Sequence, residues 1–440
     1  MKMKMKNINI SSYIILIIFG MIVLAMRYTT PIINPWLYAE DGVWVANALN
    51  HGWLETFINA REDYFVFFNI FFLFVSTSIS SIISGSPLLL LPQSIAVASY
   101  FFYSLMAVMA FHLIIKISNP LFSILAYFIT LLLPLGHSQS ENIGHLLQIG
   151  FYMPAIASAL IIQREYVNKK IAKFIIDMMI WLTAATNPVV FIIVGVYYSF
   201  KLLNVKNKYT LIKDMLPLAI SMVILALFIL PRLNGSGGLG DYGYNPNNII
   251  EMVTARLLLY PFVFPWYEKL NDSISIALSF VYVIFCTTII YKTKDATIKK
   301  HLLTLAIALF ICLITTVFGR IGLSDLLNNY QITFPDRYFV GTNFLSILLF
   351  IACLSQCNFS KPISYLSYFI SGVLLCIYIV NADIISESEM AKKNIFLNDH
   401  FYYSICHAEK IDNANSAIQI KPANWVMIVP TNLISEIHCH

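Results

Sequence analysis

Two adjacent carboxylates stand out just after the first apolar run, in residues 35–44 (PWLYAEDGVW). Glu40 and Asp41 lie there among aromatic residues, and an amphipathic helix to about Trp53 is predicted to follow. A carboxyl group beside a low-dielectric membrane has a raised affinity for protons and can act as a general base. The competing interpretation is a helix N-terminus, where acidic residues interact well with the helix dipole. Glu40 and Asp41 are the candidate catalytic residues.

A second polar cluster lies in residues 134–148, at one end of an apolar run, and contains His137, Glu141, Asn142, His145 and Gln148. Glu141 and His145 are four residues apart, so on a helix they share one face. That spacing also suits two metal ligands, but no third ligand is identifiable, and we predict no metal site. Interfacial capping is the alternative. We favour a substrate-facing cluster in which Glu141 and His145 bind substrate.

Arg320, Arg337 and Tyr338 form the third candidate group, on either side of a late polar loop. A guanidinium binds phosphate through two parallel hydrogen bonds, so these residues are predicted to bind an anionic headgroup. A single arginine at a lipid boundary can instead extend its charge into water, and Arg337 beside Asp336 can be a surface ion pair of little energetic value.

The amino-acid composition limits the kind of fold that can position these residues. The chain has 440 residues, of which 58% are hydrophobic and 12% charged, and its mean hydropathy is +0.73. These values exclude a water-soluble enzyme fold. The net charge of +5 does not indicate nucleic-acid binding, because the basic residues are dispersed between apolar runs.

The predicted fold is an all-α polytopic membrane protein with about eleven transmembrane helices. The first span, residues 10–26, follows three lysines and is predicted to be an uncleaved anchor with a cytoplasmic N-terminus. The other ten are predicted at about 92–115, 119–135, 146–163, 173–187, 189–203, 214–231, 273–291, 303–322, 339–357 and 363–382. Residues 65–83 are also long enough to cross the membrane. Whether they do determines on which side every later loop lies.

The distribution of positive charge decides this question provisionally. If residues 65–83 do not cross, seventeen of the 28 basic residues face the cytoplasm; if they cross, the later lysine-rich loops move outside. We therefore predict a juxtamembrane or re-entrant helix on the outer side, which is permitted where the helix packs against protein. Six of the seven arginines then lie outside, so the chemistry is predicted there.

The predicted domains are a transmembrane domain at 1–382, with a first outer loop at 27–91, and a small outer tail at 383–440. Residues 232–272 and 323–338 are predicted to be further outer loops. Cys406 and Cys439 can form a disulfide if the tail faces an oxidising compartment. Asp177, inside a span, is predicted to pair with Lys173 one turn away.

Several of these motifs, in this order and on one side of the membrane, resemble the polytopic glycosyltransferases of the type C fold. They are the YAEDGVW segment, the outer helix near Asp63-Tyr64, the 134–148 cluster, and Asp336-Arg337-Tyr338 before a late span. Among these enzymes the chain looks most like the phage- or island-encoded O-antigen glucosyltransferases that convert serotype in enteric bacteria. The family's later motif usually continues to a tryptophan, whereas this chain has Gln148-Ile149-Gly150.

The resemblance implies transfer of glucose from undecaprenyl-phosphate-glucose to a hydroxyl of lipid-linked O-antigen, at the periplasmic face of the bacterial inner membrane. It implies Asp41 or Glu40 as the base, Glu141 as the later acidic residue, and Arg320 and Arg337 beside the departing phosphate. A divalent cation could bridge acid and phosphate, but no sequence feature demands one. Implied functional partners are a bactoprenol glucosyltransferase, which makes the lipid-linked glucose, and a small flippase.

Two other functions remain open from the sequence. A secondary transporter or lipid-linked sugar flippase would also be polytopic, but inverted repeats and helices broken near mid-membrane are not evident here. An O-antigen polymerase or ligase would also need outer arginines, but the densest site in this chain is the acidic first loop.

Overall fold

The computed structural model describes residues 9–62, 64–136, 142–231, 243–331, 336–357, 361–381, 401–437 and 439. These residues are mostly helical. Eight of their helices are long and apolar enough to cross a membrane, among them residues Pro246–Lys269, which the sequence had placed in an outer loop. The prediction of a helical multi-pass membrane protein is confirmed at this level; the number of crossings and the orientation stay predictions.

The helices follow in chain order, with short 3-10 turns between some of them. They are α1 (Ile10–Arg27), α2 (Thr30–Ile33), α3 (Ala39–His51), α4 (Trp53–Asn59), α5 (Phe67–Ser84), α6 (Leu91–Ile117), α7 (Pro120–Leu131), α8 (Ile149–Tyr166), α9 (Lys170–Thr186), α10 (Val189–Asn204), α11 (Lys208–Ile229), a π-helix (Glu251–Leu259), α12 (Tyr260–Val263), α13 (Asp272–Lys292), α14 (Ala296–Gly319), α15 (Val340–Leu354), α16 (Lys361–Val380), α17 (Phe401–Cys406) and α18 (Thr431–Ser435).

Helix α6 lies at the centre of the bundle, packed against α1, α5, α7 and α8. Close approach of α1 depends on Gly20, where a side chain would clash with Ser104 of α6 and Tyr127 of α7. At the C-terminal end of α1 the buried Arg27 donates hydrogen bonds to the carbonyl oxygens of Leu131 and Leu133, at 2.7 and 2.8 Å. Leu131 is the last residue of α7, where carbonyl oxygens lack intrahelical partners, and Arg27 supplies a donor to it and to Leu133 just beyond the helix.

Helix α5, the stretch expected to fold back, runs antiparallel along only the first half of α6. The rings of Phe68 and Phe72 contact Phe102, and the hydroxyl of Ser80 accepts a hydrogen bond from the backbone N–H of Leu90. The helix therefore covers the half of α6 that is remote from Lys116. This placement is compatible with the expected outer helix, although α5 has the length to cross, and its crossing stays a prediction.

The opposite end of the bundle carries an ion-pair network that differs from the expected pair. Asp177 binds Arg164 of α8 at 2.5 Å, whereas Lys173 binds Asp214 of α11 at 2.9 Å. Arg164 also reaches Asp214, at 2.7 Å. The predicted Asp177–Lys173 pair is therefore wrong. The guanidinium of Arg164 offers two donors to Asp177 at once, which the single ammonium of Lys173 cannot do.

The tail folds as a small cap and adds a sheet to a chain predicted to be all-α. Strands β1 (Glu409–Lys410), β2 (Asn415–Ile420) and β3 (Trp425–Pro430) form an antiparallel sheet in that order, with Ile418 opposite Met427. Cys406 and Cys439 form a disulfide with their Cα atoms 5.5 Å apart. The boundary predicted at residue 383 lies outside the described residues.

Candidate functional site

The cap holds the start of α3, which carries the two candidate carboxylates. The backbone of Lys421 accepts a hydrogen bond from Ala39 N–H at 2.5 Å and donates one to Leu37 at 3.0 Å. Ala39 has φ of 43°, a left-handed conformation that a non-glycine residue adopts only where its surroundings impose it. Three residues on, a side chain at Gly42 would clash with Ile420 of β2. The direction in which α3 leaves the loop is therefore fixed by the cap.

Glu40 and Asp41 point into different environments. Glu40 is partly exposed and lines a polar cavity, whereas Asp41 is fully buried. The Oδ2 atom of Asp41 accepts a hydrogen bond from the backbone N–H of Leu146 at 2.8 Å. Burial raises the pKa of Asp41 well above its usual range, and the charge of Glu40 adds to that effect. Only one of the two carboxylates faces a space that a substrate can enter.

The polar cavity unites one predicted acid with the three predicted anion-binding residues. It has a volume of about 110 Å³, and Glu40, Arg320, Arg337 and Tyr338 all line it. The remaining lining residues are Trp44, Arg61, Tyr64, Val66, Asn69, Leu147, Gly150, Phe151 and Asn187. The carboxylate of Glu40 therefore shares one space with the guanidinium groups of Arg320 and Arg337, which lie almost 300 residues later in the sequence.

Tyr338 holds the two late arginines near each other. The guanidinium carbon of Arg320 lies 4.5 Å from the centre of the Tyr338 ring, and that of Arg337 lies 5.1 Å from it. The ring is in turn held edge-on by Phe151 at 5.1 Å. The attraction of each cation to the electron-rich face of one ring keeps the two positive charges close together at the cavity. This arrangement suits a phosphate group.

An apolar groove of about 600 Å³ opens directly from the polar cavity. The two spaces share Tyr64, Phe151, Asn187, Arg320 and Tyr338. The groove continues between α8, α10, α14 and α15, along Pro154, Ile192, Cys312, Ile314, Phe318 and Thr342. A molecule with a charged head and a hydrocarbon tail would place its head among the arginines and its tail between α8, α10, α14 and α15.

The second predicted cluster contributes differently from what its spacing suggested. His145 is buried with its ring against Tyr38, 4.9 Å between centroids, and it is not among the residues that line the polar cavity. Burial lowers the pKa of His145 to about 3, so the imidazole is neutral near pH 7. Glu141 lies outside the described residues, and its role stays a prediction.

Sequence reasoning missed Arg61 and Tyr64 as lining residues of the polar cavity. The guanidinium of Arg61 lies 4.9 Å from the centre of the Tyr64 ring, a three-residue spacing that is visible in the sequence. Asn187, which directly follows α9, also lines the cavity, and its side-chain amide donates to the carbonyl oxygen of Gly150 at 2.8 Å. The short spacing between this cation and this aromatic residue was the feature of the sequence that could have indicated Arg61.

Asp336, considered as a possible surface partner of Arg337, is buried and forms an ion pair with Arg256 of the π-helix. The Arg256 guanidinium also lies over the ring of Tyr260, 4.1 Å from its centre. Asp336 leaves no room for a side chain at Gly136, where φ is 82°. The interpretation of Asp336 as a surface group is therefore wrong, and this residue anchors the turn that presents Arg337.

Within the described ranges, no group of three or more His, Cys, Asp or Glu residues is placed to hold a metal ion. No protein-family model, curated protein or solved structure matches this chain. The function is therefore inferred from the geometry of the cavity and the groove.

Proposed function

We propose that this protein is a membrane-embedded glycosyltransferase that takes a hexose from a polyprenyl-phosphate carrier and transfers it to a hydroxyl of a lipid-linked glycan. The observation that carries the proposal is the continuity of the apolar groove with a cavity containing Glu40, Arg320 and Arg337. The carrier has the same two parts, a long isoprenoid chain and a phosphate. Because such a donor is already activated and held in the bilayer, the enzyme needs positioning, a base and cations.

The reaction proceeds as a single displacement at the anomeric carbon. Glu40 accepts the proton of the acceptor hydroxyl, the acceptor oxygen forms a bond to the anomeric carbon, and the bond from that carbon to the phosphate oxygen breaks. The electron pair of that bond leaves with the polyprenyl phosphate, whose increased negative charge is stabilised by Arg320 and Arg337. Attack from the face opposite the phosphate inverts the anomeric configuration.

The finer identity of the substrates follows the family resemblance. We propose undecaprenyl-phosphate-glucose as donor and lipid-linked O-antigen as acceptor, with the site on the periplasmic face of the bacterial inner membrane. A bactoprenol glucosyltransferase and a flippase would supply the donor. The disulfide in the cap, whose backbone bonds to the loop before Glu40, supports a site in an oxidising compartment.

The test is transfer of labelled glucose in membranes that contain the protein, the donor and the acceptor. Replacing Glu40 by glutamine keeps the size and polarity of the side chain but removes the base, so transfer should fall by roughly 10²- to 10⁴-fold while donor binding persists. The matched control is Glu55→Gln, which changes an exposed acid on α4 of the same loop. Full transfer by Glu40→Gln at normal protein levels would refute the assignment of the base.

The same preparation separates transfer from transport. A lipid-linked sugar flippase would move the labelled donor across a vesicle membrane without forming a glycosidic bond. The proposal requires a new bond to the acceptor, with inverted anomeric configuration in the isolated product.

A further inference from the structure

The buried side chain of Asp41 holds a short irregular segment of backbone rather than facing a ligand. Its Oδ2 atom accepts from the N–H of Leu146 at 2.8 Å, and on the other side of the same residue Asn69 of α5 donates to the carbonyl oxygen of Leu146 at 2.7 Å. Asp41 and Asn69 are 0% and 1% exposed. Two buried side chains from different helices therefore hold both polar backbone groups of one residue.

The held segment forms one wall of the polar cavity. Leu147, Gly150 and Phe151 line it, immediately after Leu146. The segment cannot continue a regular helix, since Gly144 has φ of 96° and lies too close to Pro31 to carry a side chain. Irregular backbone in a buried position needs partners for its N–H and C=O groups, because each unsatisfied group costs free energy. Asp41 meets that need for the N–H of Leu146, and Asn69 together with the N–H of Ile149 meets it for the carbonyl oxygen.

The position of Asp41 on α3 links this wall to the proposed base. Neighbouring residues on an α-helix point about 100° apart, so the bond from Asp41 to Leu146 also sets the rotation of α3 and thereby the direction of Glu40. On the assumption that Glu40 is the base of the proposed transfer, we propose that Asp41 is a positioning residue. It fixes the Leu146–Phe151 wall and the orientation of Glu40, and it exchanges no proton with the substrate.

The remaining atoms around Asp41 agree with this role. Among the described residues, its Oδ1 atom has no hydrogen-bond partner although it is buried. An ionised carboxylate would be costly in such a place, and the burial that raises the pKa of Asp41 favours the neutral acid. A neutral acid still accepts the hydrogen bond from Leu146 through its carbonyl oxygen. The requirement at this position is thus an acceptor of the right size, not a negative charge.

Two substitutions of Asp41 distinguish a positioning role from a catalytic one. Asp41→Asn keeps an oxygen that can accept from Leu146 but cannot act as a base, so transfer should stay within about fivefold of the parent protein. Asp41→Leu has similar size without an acceptor, and transfer should fall by roughly 5- to 150-fold, the range for leaving a buried N–H unsatisfied. Glu40→Gln, measured in parallel, should lose roughly 10²- to 10⁴-fold in transfer although its Asp41 is intact.

Two further readouts go beyond a loss of activity. The acid limb of the profile of kcat/KM against pH should be the same in the parent and in Asp41→Asn, because Asp41 does not titrate in the reaction. Hydrogen exchange at the Leu146 amide should be equally slow in both and faster in Asp41→Leu. The second measurement needs no substrate, so it tests the contact with Leu146 even if the chain transfers a different sugar or none.

The outcomes separate this inference from the proposed function. If Asp41→Asn is as inactive as Asp41→Leu while the Leu146 amide stays protected, Asp41 is a base and the positioning role is refuted, although glycosyl transfer survives. Equal exchange at Leu146 in all three proteins refutes the contact itself. If the parent shows no transfer with protected Leu146, the proposed function fails and the structural role of Asp41 stands.

Discussion

Breaking the Cys406–Cys439 disulfide should open the cap that holds the start of α3. The bond closes a segment with a sequence separation of 33. In the chain-entropy description, closing such a loop lowers the conformational entropy of the open state, which raises its free energy by about 3.7 kcal/mol at 25 °C. Replacing both cysteines by serine would remove this restriction on the open state of the cap. The equilibrium constant for cap opening should therefore increase roughly 500-fold.

Hydrogen exchange measures this opening directly, because buried strand amides exchange only when the cap unfolds locally. The amides of Ile418 and Met427, which lie opposite each other in β2 and β3 and are fully buried, should exchange roughly 500-fold faster in the double serine variant. The control is Cys376→Ala, which removes an exposed free cysteine of α16 and should leave the cap unchanged.

The disulfide also bears on activity, because the backbone of Lys421 holds Ala39 directly before Glu40. Transfer by the double serine variant should be lost at a lower temperature than transfer by the parent, in step with cap opening. Unchanged exchange at both strand amides would refute the stabilising role of the disulfide. Faster exchange with unaltered transfer at every temperature would instead show that Glu40 does not depend on the cap.

Two further predictions concern the charges of the site. Arg320→Ala should weaken binding of the donor by about 1.5–3 kcal/mol, measured as a higher KM for the donor. Arg320→Lys should recover only part of this binding, because lysine lacks the planar guanidinium group. A rise confined to the KM for the acceptor would contradict this prediction. Since the pKa of Asp41 is raised in the folded protein by burial and by Glu40, the folded state binds this proton more tightly than the unfolded chain does. Stability should therefore fall as pH rises from about 3.9 towards the folded pKa, and Asp41→Asn should remove that slope in thermal unfolding; identical slopes in both proteins would refute it.

The sequence was sufficient to bring Glu40, Arg320, Arg337 and Tyr338 into one group. Hydropathy and the distribution of lysines placed all four on one predicted side, and the structure places them around one cavity. The side of the membrane on which a loop lies depends on the composition of the chain, so it can be predicted without knowing any contact between residues. Which of two neighbouring acids faces the cavity is different, because it depends on the rotation of α3, and that rotation is set by Leu146 and Lys421 from distant parts of the chain.

Local spacing misled where a distant partner offered better geometry. Asp177 has Lys173 one turn away, but Arg164 of another helix supplies two hydrogen-bond donors. The strands of the cap were missed because they are short and lie in a polar tail. Their alternation is nevertheless present: Ile418 and Ile420 are buried while Gln419 between them is exposed, the two-residue period of a strand with one face covered.

The two walls of the cavity are built in the same way. On one wall the buried Asp41 binds the backbone of Leu146, and its neighbour Glu40 faces the cavity; on the other wall the buried Asp336 binds Arg256, and its neighbour Arg337 faces the cavity. A functional side chain gains precision when a residue beside it is held by buried hydrogen bonds, since its own backbone then has little freedom to rotate.

This common construction explains why acids occur next to the proposed functional residues without sharing their role. A buried acid must be neutral or paired, since an isolated ionised carboxylate in an apolar interior is too costly. Asp336 is paired with Arg256, and Asp41 has the hydrogen bond to Leu146 instead. The charged groups that line the cavity are those of the neighbouring residues, which point about 100° or more away from the anchored side chains. In this arrangement the acid proposed as the base lines the cavity beside the arginines proposed to bind the phosphate.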